Sequence, residues 1–412
     1  MKSQIRTGDQ KWVREHNLSI LLTCLLEMGS PTSRTQLVKK SGLNKSTVGN
    51  LIAQLQSWGL VTDSGTSDPR PGRPATLIDI APNGGRLIGV EIGVDLISVV
   101  LTDLKCNIVW RQTIETNGTT LEQASVLEIA QSLIDTAITQ SVGSKVFGIG
   151  LGVPGLVDYN TGTLLFAPNL KWSNVPLRDR WMKRFGMLVV VENDAKAAAV
   201  GEQMRGVAKQ VHDFVYLNAG IGLGSGVVVD GKLYRGAEGF AGAIGHMTIE
   251  PNGPLCNCGN RGCWETLIGP RTILKQVRQA ASEGRVPRLL ALPEVSGDLA
   301  TIKMQQVLQV AKQGDPVVLQ ILEQVGCYLG IGIANIIYAF NPSQVILGGM
   351  LSLAGPYVLP SAQAEVENRS LAVVRKNVQL TLSALKADAC VIGAAALILR
   401  EILNNPTEIM NR

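Results

Sequence analysis

Aromatic residues are scarce in this 412-residue chain, at 4%, and charged residues make up only 17%. So few charges, set against 45% hydrophobic residues, exclude wholesale disorder and a highly solvated coiled coil. Long hydrophobic runs are missing as well. The longest nearly uncharged stretch, Val325 to Phe340, is interrupted by Gly326, Gly330, Gly332 and Asn335. It falls short of the ~20 residues a bilayer span needs, so no membrane segment is expected. The opening MKSQIRTGDQ has no apolar run before Asp9, which argues against a secretory signal and for a cytoplasmic protein. Against these absences stand 44 glycines, a composition that favours an α/β protein with many strand-to-helix turns. The length predicts two or three structural units.

Net charge is only +5, but it is unevenly placed. Residues 1–85 carry ten Lys or Arg and six Asp or Glu, so this fifth of the chain holds +4 of the excess, as a small module meeting a polyanion would. Within it, apolar residues from Val13 to Leu26 recur at helical spacing and Gly29 stops the run. Ser33 caps a second short helix, RTQLVKKS, that Gly42 ends. Asn44 caps a third, with Val48, Leu51, Ile52 and Leu55 inward and Lys45, Ser46, Thr47 and Asn50 on the outward face. Two short helices joined by a Gly-containing turn match a helix-turn-helix, although a plain three-helix bundle would share the pattern. The next segment favours the former: Leu60 and Val61 open a strand and ATLIDIAP returns as a second, a β-hairpin wing. Between them Pro69–Pro74 holds Arg70 and Arg73, suited to a narrow minor groove, or else forms a solvated linker.

Beyond Asn83 strands alternate with helices. LIGVEIG and LISVVLTD read as adjacent strands, a helix follows near Leu121–Gln140, and FGIGLGVPGLVD runs into a Gly/Pro turn. A second such cycle begins at Phe214, and a third glycine turn comes at VILGGM. The expected fold is therefore α/β, a winged helix-turn-helix over 1–82 followed by two lobes over 83–412. The first lobe takes about 83–195 and a C-terminal helix at about 389–404, and the second about 196–388. His246, Cys256, Cys258 and Cys263 fall within eighteen positions of a chain with three His and seven Cys. One imidazole and three thiolates form the set that tetrahedral zinc accepts, and four protein ligands leave no open position, so the expected zinc site is structural. Plain free thiols are the alternative.

The motifs GVPGLVDYNTG, APNLKW, VENDAKAAAVGE, the glycine turn at 220–226, GFAGAIGH, CNCGNRGCWE and VILGGM follow one another in an order that resembles the ROK family of bacterial sugar kinases and sugar-responsive repressors. The resemblance spans about residues 85–400, and the module in front is similar to the winged helix-turn-helix of the repressor branch. It implies an actin- and hexokinase-like two-lobed fold, a sugar effector, a structural zinc on the four residues above, and a homodimer or homotetramer. It also implies a sugar site at Asn169, Asn193, Asp194, His246 and Glu265, with Asp194 at the position of the kinase base.

Departures from the family pattern separate two functions. Where the kinases carry Asp-X-Gly-Gly-Thr, this chain has Glu91, Ile92, Gly93, Val94 and Asp95, and a second phosphate-turn Thr is Ile221. A Cβ at the second glycine hinders backbone approach to phosphate, and Asp95 would repel it. A sugar-contacting Glu is replaced by Ala243. The favoured expectation is thus a sugar-responsive DNA-binding regulator, a repressor of carbohydrate genes without catalytic residues. The alternative is an ATP-dependent sugar kinase with an attached DNA-binding module.

Overall fold

The Asp9 carboxylate accepts the Lys11 amide at 3.0 Å and starts helix α1 (Gln10–Met28), which Gly29 ends in the left-handed conformation, φ 65°. In this computed structural model the described residues are 9–29, 31–66, 75–116, 121–295 and 298–410. Strand β1 (Thr32–Ser33) leads into α2 (Arg34–Ser41), whose start is closed reciprocally: Ser33 Oγ accepts the Gln36 amide and Gln36 Oε1 accepts the Ser33 amide. Helix α3 (Lys45–Ser57) starts where Asn44 Oδ1 accepts the Thr47 amide at 2.8 Å. The wing is β2 (Val61–Thr66) paired antiparallel with β3 (Thr76–Ile80). Leu18, Leu21, Leu22, Leu25, Leu37, Val48, Leu51, Ile52 and Leu55 are buried, forming the core that the helical spacing predicts. The sequence reading lacks β1, whose two residues carry no alternation; Thr32 and Ser33 pair with Ile78 and Leu77.

The chain divides into two compact units. The first takes the described parts of Met1–Val153, Pro176–Glu192 and Val391–Arg412, and the second takes Pro154–Val175 with the described parts of Asn193–Cys390. Residues 154–175, read from the sequence as part of the first lobe, thus group with the second unit.

Beyond the wing the first unit holds β4 (Arg86–Ile92), β5 (Leu96–Thr102), β6 (Ile108–Glu115), α4 (Gln123–Gln140) and β7 (Val146–Val153). The three strands β8 (Leu156–Asp158), β9 (Thr163–Ala167) and β10 (Trp172–Val175) form a small antiparallel sheet of the second unit. The chain then returns to the first unit as α5 (Leu177–Phe185) and β11 (Leu188–Asn193). The first unit's sheet has the order β11-β7-β4-β5-β6, with β4 antiparallel to β5 and parallel to β7.

The second unit continues with α6 (Asp194–Arg205), β12 (Phe214–Ala219), β13 (Leu223–Val229) and β14 (Lys232–Leu233). After them come α7 (Trp264–Ile268), α8 (Pro270–Ser282), α9 (Pro287–Leu290), α10 (Met304–Lys312), α11 (Pro316–Phe340), β15 (Gln344–Gly348), α12 (Gly355–Arg369), α13 (Ala372–Arg375) and β16 (Gln379–Leu382). Its sheet, β14-β13-β12-β15-β16, repeats the plan of the first: three antiparallel strands, then two more added on the opposite side of the first of them. Helices α14 (Ala389–Asn404) and α15 (Pro406–Met410) end the chain.

Glycine inside a strand usually weakens it, and here it makes room. Gly89 of β4 and Gly150 of β7 lie directly opposite each other, and a Cβ on Gly150 would come within 1.8 Å of the Ala394 carbonyl. The pair forms a floor on which α14 rests. Among the described residues one helix, α11, is long and apolar enough to cross a bilayer, but more than half of its most apolar stretch is buried in the fold. The glycines read as interruptions are helical contacts: Gly326 and Gly330 let the α12 backbone approach closely.

Candidate metal centre and sugar site

Thr248 bridges Cys263, Leu255 bridges Arg261, and the Cys256 amide donates to the Asn260 carbonyl at 2.8 Å, folding residues 248–263 back on themselves. That loop carries Cys256 and Cys258 at its tip and Cys263 at its root, and His246 ends a short 3-10 turn just before it. The four donor atoms lie within 4.8 Å of one another. Cys258 Sγ and Cys263 Sγ are 3.6 Å apart, and Cys256 Sγ and His246 Nδ1 are 3.7 Å apart. With Zn–S bonds of about 2.3 Å, the edge of a tetrahedron is about 3.8 Å, so this donor set and spacing fit a zinc ion. Burial pushes the Cys256 and Cys263 thiols up, whereas the Asn260 amide, donating to Cys258, pulls that thiol down. A dication among them would favour the thiolates.

Trp264, between Cys263 and Glu265, is fully buried, and its indole N–H donates to the Tyr328 carbonyl of α11 at 2.9 Å. It anchors the last thiol and the carboxylate together. Glu265 Oε1 accepts from the Cys256 thiol at 2.9 Å, and Oε2 accepts the Leu223 amide at 3.3 Å. One carboxylate thereby links the thiol cluster to the turn between β12 and β13. A Cβ on Gly222 in that turn would lie 3.0 Å from Glu265 Oε2 and 3.7 Å from Asn169 Nδ2, so Asn169 reaches the same place from the loop after β9.

Asp194 opens α6. Its Oδ1 accepts from Asn193 Nδ2 at 2.9 Å, and Oδ2 from Asn218 Nδ2 of β12 at 3.5 Å. Burial pushes its carboxyl above the ordinary range, against the pull of the Ala195 amide and these two asparagines. Asn193 is heavily engaged within the protein: Oδ1 caps α6 by accepting the Ala195 and Lys196 amides, while Nδ2 also donates to the Gly155 carbonyl. It orients Asp194. The sequence motifs single out neither Asn218 nor Trp264; the place of Asn218 near the end of β12, two residues before Gly220, is the available signal. The loop before Ala243 is held at two carbonyls, Gly239 by Lys196 Nζ at 2.5 Å and Gly242 by Ser225 Oγ at 2.6 Å. Ala243 is exposed beyond it, and the His246 side chain keeps 42% of its exposure.

Of the positions expected to differ from a phosphate cradle, Val94 and Ile221 are apolar and Glu91 and Asp95 are acidic. Ile221 lies in the turn closed by the Gly220 amide on the Gly222 carbonyl. In the first unit, Gly93 donates to the Leu96 carbonyl at 2.8 Å to close a tight hairpin, Val94 is buried, and Asp95 is exposed. In the DNA module Lys45, Ser46 and Asn50 are exposed and Thr47 partly so. Ser46 Oγ donates to the cap oxygen of Asn44 at 2.8 Å. Arg70 and Arg73 lie outside the described residues.

The model of the ROK family matches residues 87–401, and that of the IclR helix-turn-helix domain matches residues 20–65. A xylose repressor of Caldicellulosiruptor bescii is 33% identical over 402 residues, covering 97% of this chain and 99% of its own. A solved ROK family transcriptional regulator, a homologue of the E. coli MLC protein, is 26% identical with a TM-score of 0.78, covering 97% of this chain and 100% of that one. A ROK family glucokinase from Streptomyces griseus, solved with glucose and AMPPNP, is 33% identical with a TM-score of 0.67. It is covered over 99% of its length but leaves roughly a quarter of this chain unmatched. With a helix-turn-helix ahead of a match that takes in both repeated sheets, the chain belongs to the ROK family.

Proposed function

We propose that the protein is a DNA-binding repressor of carbohydrate genes that loses affinity for its operator when D-xylose occupies the polar cluster around turn 220–224, and that it does not phosphorylate the sugar. One arrangement carries this reading. Asn169, Asp194 and Glu265 gather hydrogen-bonding groups at that turn, while the phosphate-turn positions hold a buried Val94 and an Ile221. Asp194 and Glu265 accept hydrogen bonds from sugar hydroxyls, and Asn169 and His246 complete the set. Asn193 serves by fixing Asp194. Xylose is the choice because repressors named for it match nearly the whole chain.

His246, Cys256, Cys258 and Cys263 would hold zinc, which supplies rigidity rather than reaction chemistry because four protein ligands close the site. Lys45, Ser46, Thr47 and Asn50 read the major groove, and Arg70 and Arg73 are assigned to the minor groove on sequence grounds. A homodimer or homotetramer would meet half-sites about 10 bp apart or a multiple of that. The sugar acts by binding one arrangement of the protein better than another, a coupling of about 1–3 kcal/mol or roughly 5–150-fold in operator affinity.

The test starts with selection of bound duplexes from a random library, followed by titration of the selected duplex with and without D-xylose. Xylose is expected to weaken binding within that range, and ATP with xylose or glucose is expected to yield no ADP. Sugar-dependent ADP release abolished by Asp194→Asn would install the kinase reading instead.

A further inference from the structure

The end of the recognition helix α3 rests on the chain that leaves the wing. Gly59 donates to the Gln56 carbonyl, the Ala81 amide donates to Leu60, and the Gly84 amide to Ala81. A Cβ on Gly84 would fall 1.8 Å from the Gly59 carbonyl and 3.2 Å from Leu104 Cδ1. Leu104 is 1% exposed and belongs to the turn between β5 and β6. Asp103 makes that turn stiff: Oδ1 accepts the Lys105 and Asn107 amides, each at 2.8 Å, and Oδ2 accepts Asn107 Nδ2 at 2.8 Å. Cys106 within it is buried at a φ of 59°, which L residues adopt only when their surroundings hold them there. The next side chain out, Lys105, reaches the wing, where its Nζ meets Asp79 Oδ2 of β3 at 2.5 Å. The other oxygen of Asp79 accepts the Ile80 amide at 2.8 Å. Only 12% of the Asp79 side chain is exposed, so this pair is better shielded than the other ion pairs described, such as Arg184–Asp135.

We infer that the turn 103–107 is the bearing on which the DNA-reading module is held, with Leu104 and Lys105 as positioning residues for α3 and Gly84 as its pivot. Two contacts on one stiff turn constrain both ends of the wing-and-helix pair: Leu104 meets Gly84 at the foot of α3, and Lys105 meets Asp79 on the wing strand. A change in the β4–β6 sheet that tilts this turn carries the recognition helix with it. The inference rests on the repressor reading for its functional consequence, although the mechanical joint itself needs neither DNA nor sugar to be tested.

The test uses the full chain with Lys105→Met, Asp79→Asn, and the reversed pair Asp79→Lys with Lys105→Asp. In ligand-free protein, hydrogen exchange at the amides of residues 59–61 and 78–84 should speed several-fold in each single variant and return toward wild type in the reversed pair. Unchanged exchange in the single variants would overturn the joint, whatever the protein binds. On the duplex selected with wild type, each single variant should bind about twofold to fivefold more weakly. The fold-change caused by D-xylose should shrink to within about twofold of unity, from the 5–150-fold expected of an intact coupling, and recover in the reversed pair. A full xylose response in Lys105→Met, with faster exchange confirmed, would remove the turn from the route of regulation. A wild type that ignores both duplex and xylose would sink the repressor reading and leave the exchange result standing.

Discussion

Asp194 shows how a residue's surroundings decide its work. Its carboxyl is raised chiefly by burial, so it protonates at a higher pH than an exposed aspartate with its usual value near 3.9. A raised value in the folded state means that the fold binds this proton more tightly than the unfolded chain does. The group therefore favours the fold more as pH falls, while the carboxylate acceptor that the proposed sugar site requires is lost over the same interval. The thermal shift given by D-xylose should weaken progressively as the pH is lowered. Asp194→Asn should abolish the shift, erase its pH dependence and leave the selected duplex bound as before; a pH-independent shift in wild type would show that the carboxylate is not the acceptor. Individual residues were unevenly legible. The His and three Cys stood out because rare donors fell close together, and their side chains do converge. Asn193, expected as a sugar contact, also caps α6, a role its residue type alone does not reveal because sequence does not show which of its hydrogen bonds the backbone uses.

Elements announce themselves in sequence when local chemistry sets their ends. Ser33 with Gln36, Gly42 and Asn44 fix the bounds of α2 and the start of α3 through capping bonds among near neighbours, and those helices were readable almost to the residue. The two-residue β1 was not, since only its long-range pairing with β3 makes it a strand. Nor did the sequence reveal that Pro154–Val175 leaves one unit for the other, because a strand's partners are chosen by tertiary contacts. The floor beneath α14 is a feature of this kind, built from Gly89 and Gly150. Gly150→Ala puts a methyl against the Ala394 carbonyl, so either the helix lifts or the sheet bends. The cost should be about 1–3 kcal/mol, seen as a lower urea midpoint for unfolding. Gly143→Ala is a contrasting control: its added methyl meets no neighbour, and its φ of 77° confines the penalty to local backbone strain.

At the scale of the molecule, the cysteine loop and the turn before Leu223 are joined within one unit through Glu265, which follows Cys263 by two residues and accepts the Leu223 amide. Removing the proposed zinc should therefore reach the proposed sugar site without reaching the DNA module. Treatment with a strong chelator is expected to abolish the xylose-induced thermal shift, leave the selected duplex bound, and be reversed by one equivalent of zinc. Elemental analysis finding well under one zinc per chain in fresh protein, or a chelated protein that still answers to xylose, would set the metal apart from sugar sensing.

The covering of the Gly89 and Gly150 floor by Val391 and Ala394 also has a consequence for synthesis. Translation at about 5–20 residues per second needs roughly 10–40 seconds to travel from Asn193, the end of β11, to Ala394. Throughout that interval the first sheet has its strands but lacks the helix that shields one face, while the DNA-reading head, encoded by the first eighty-odd codons, has all of its own residues. A nascent polypeptide thus carries a complete head on an unfinished support. Ribosomes that stall before codon 391 would release chains with this apolar face uncovered, open to chaperones and proteases. Quality control at the far end of the message therefore guards the part of the protein made first.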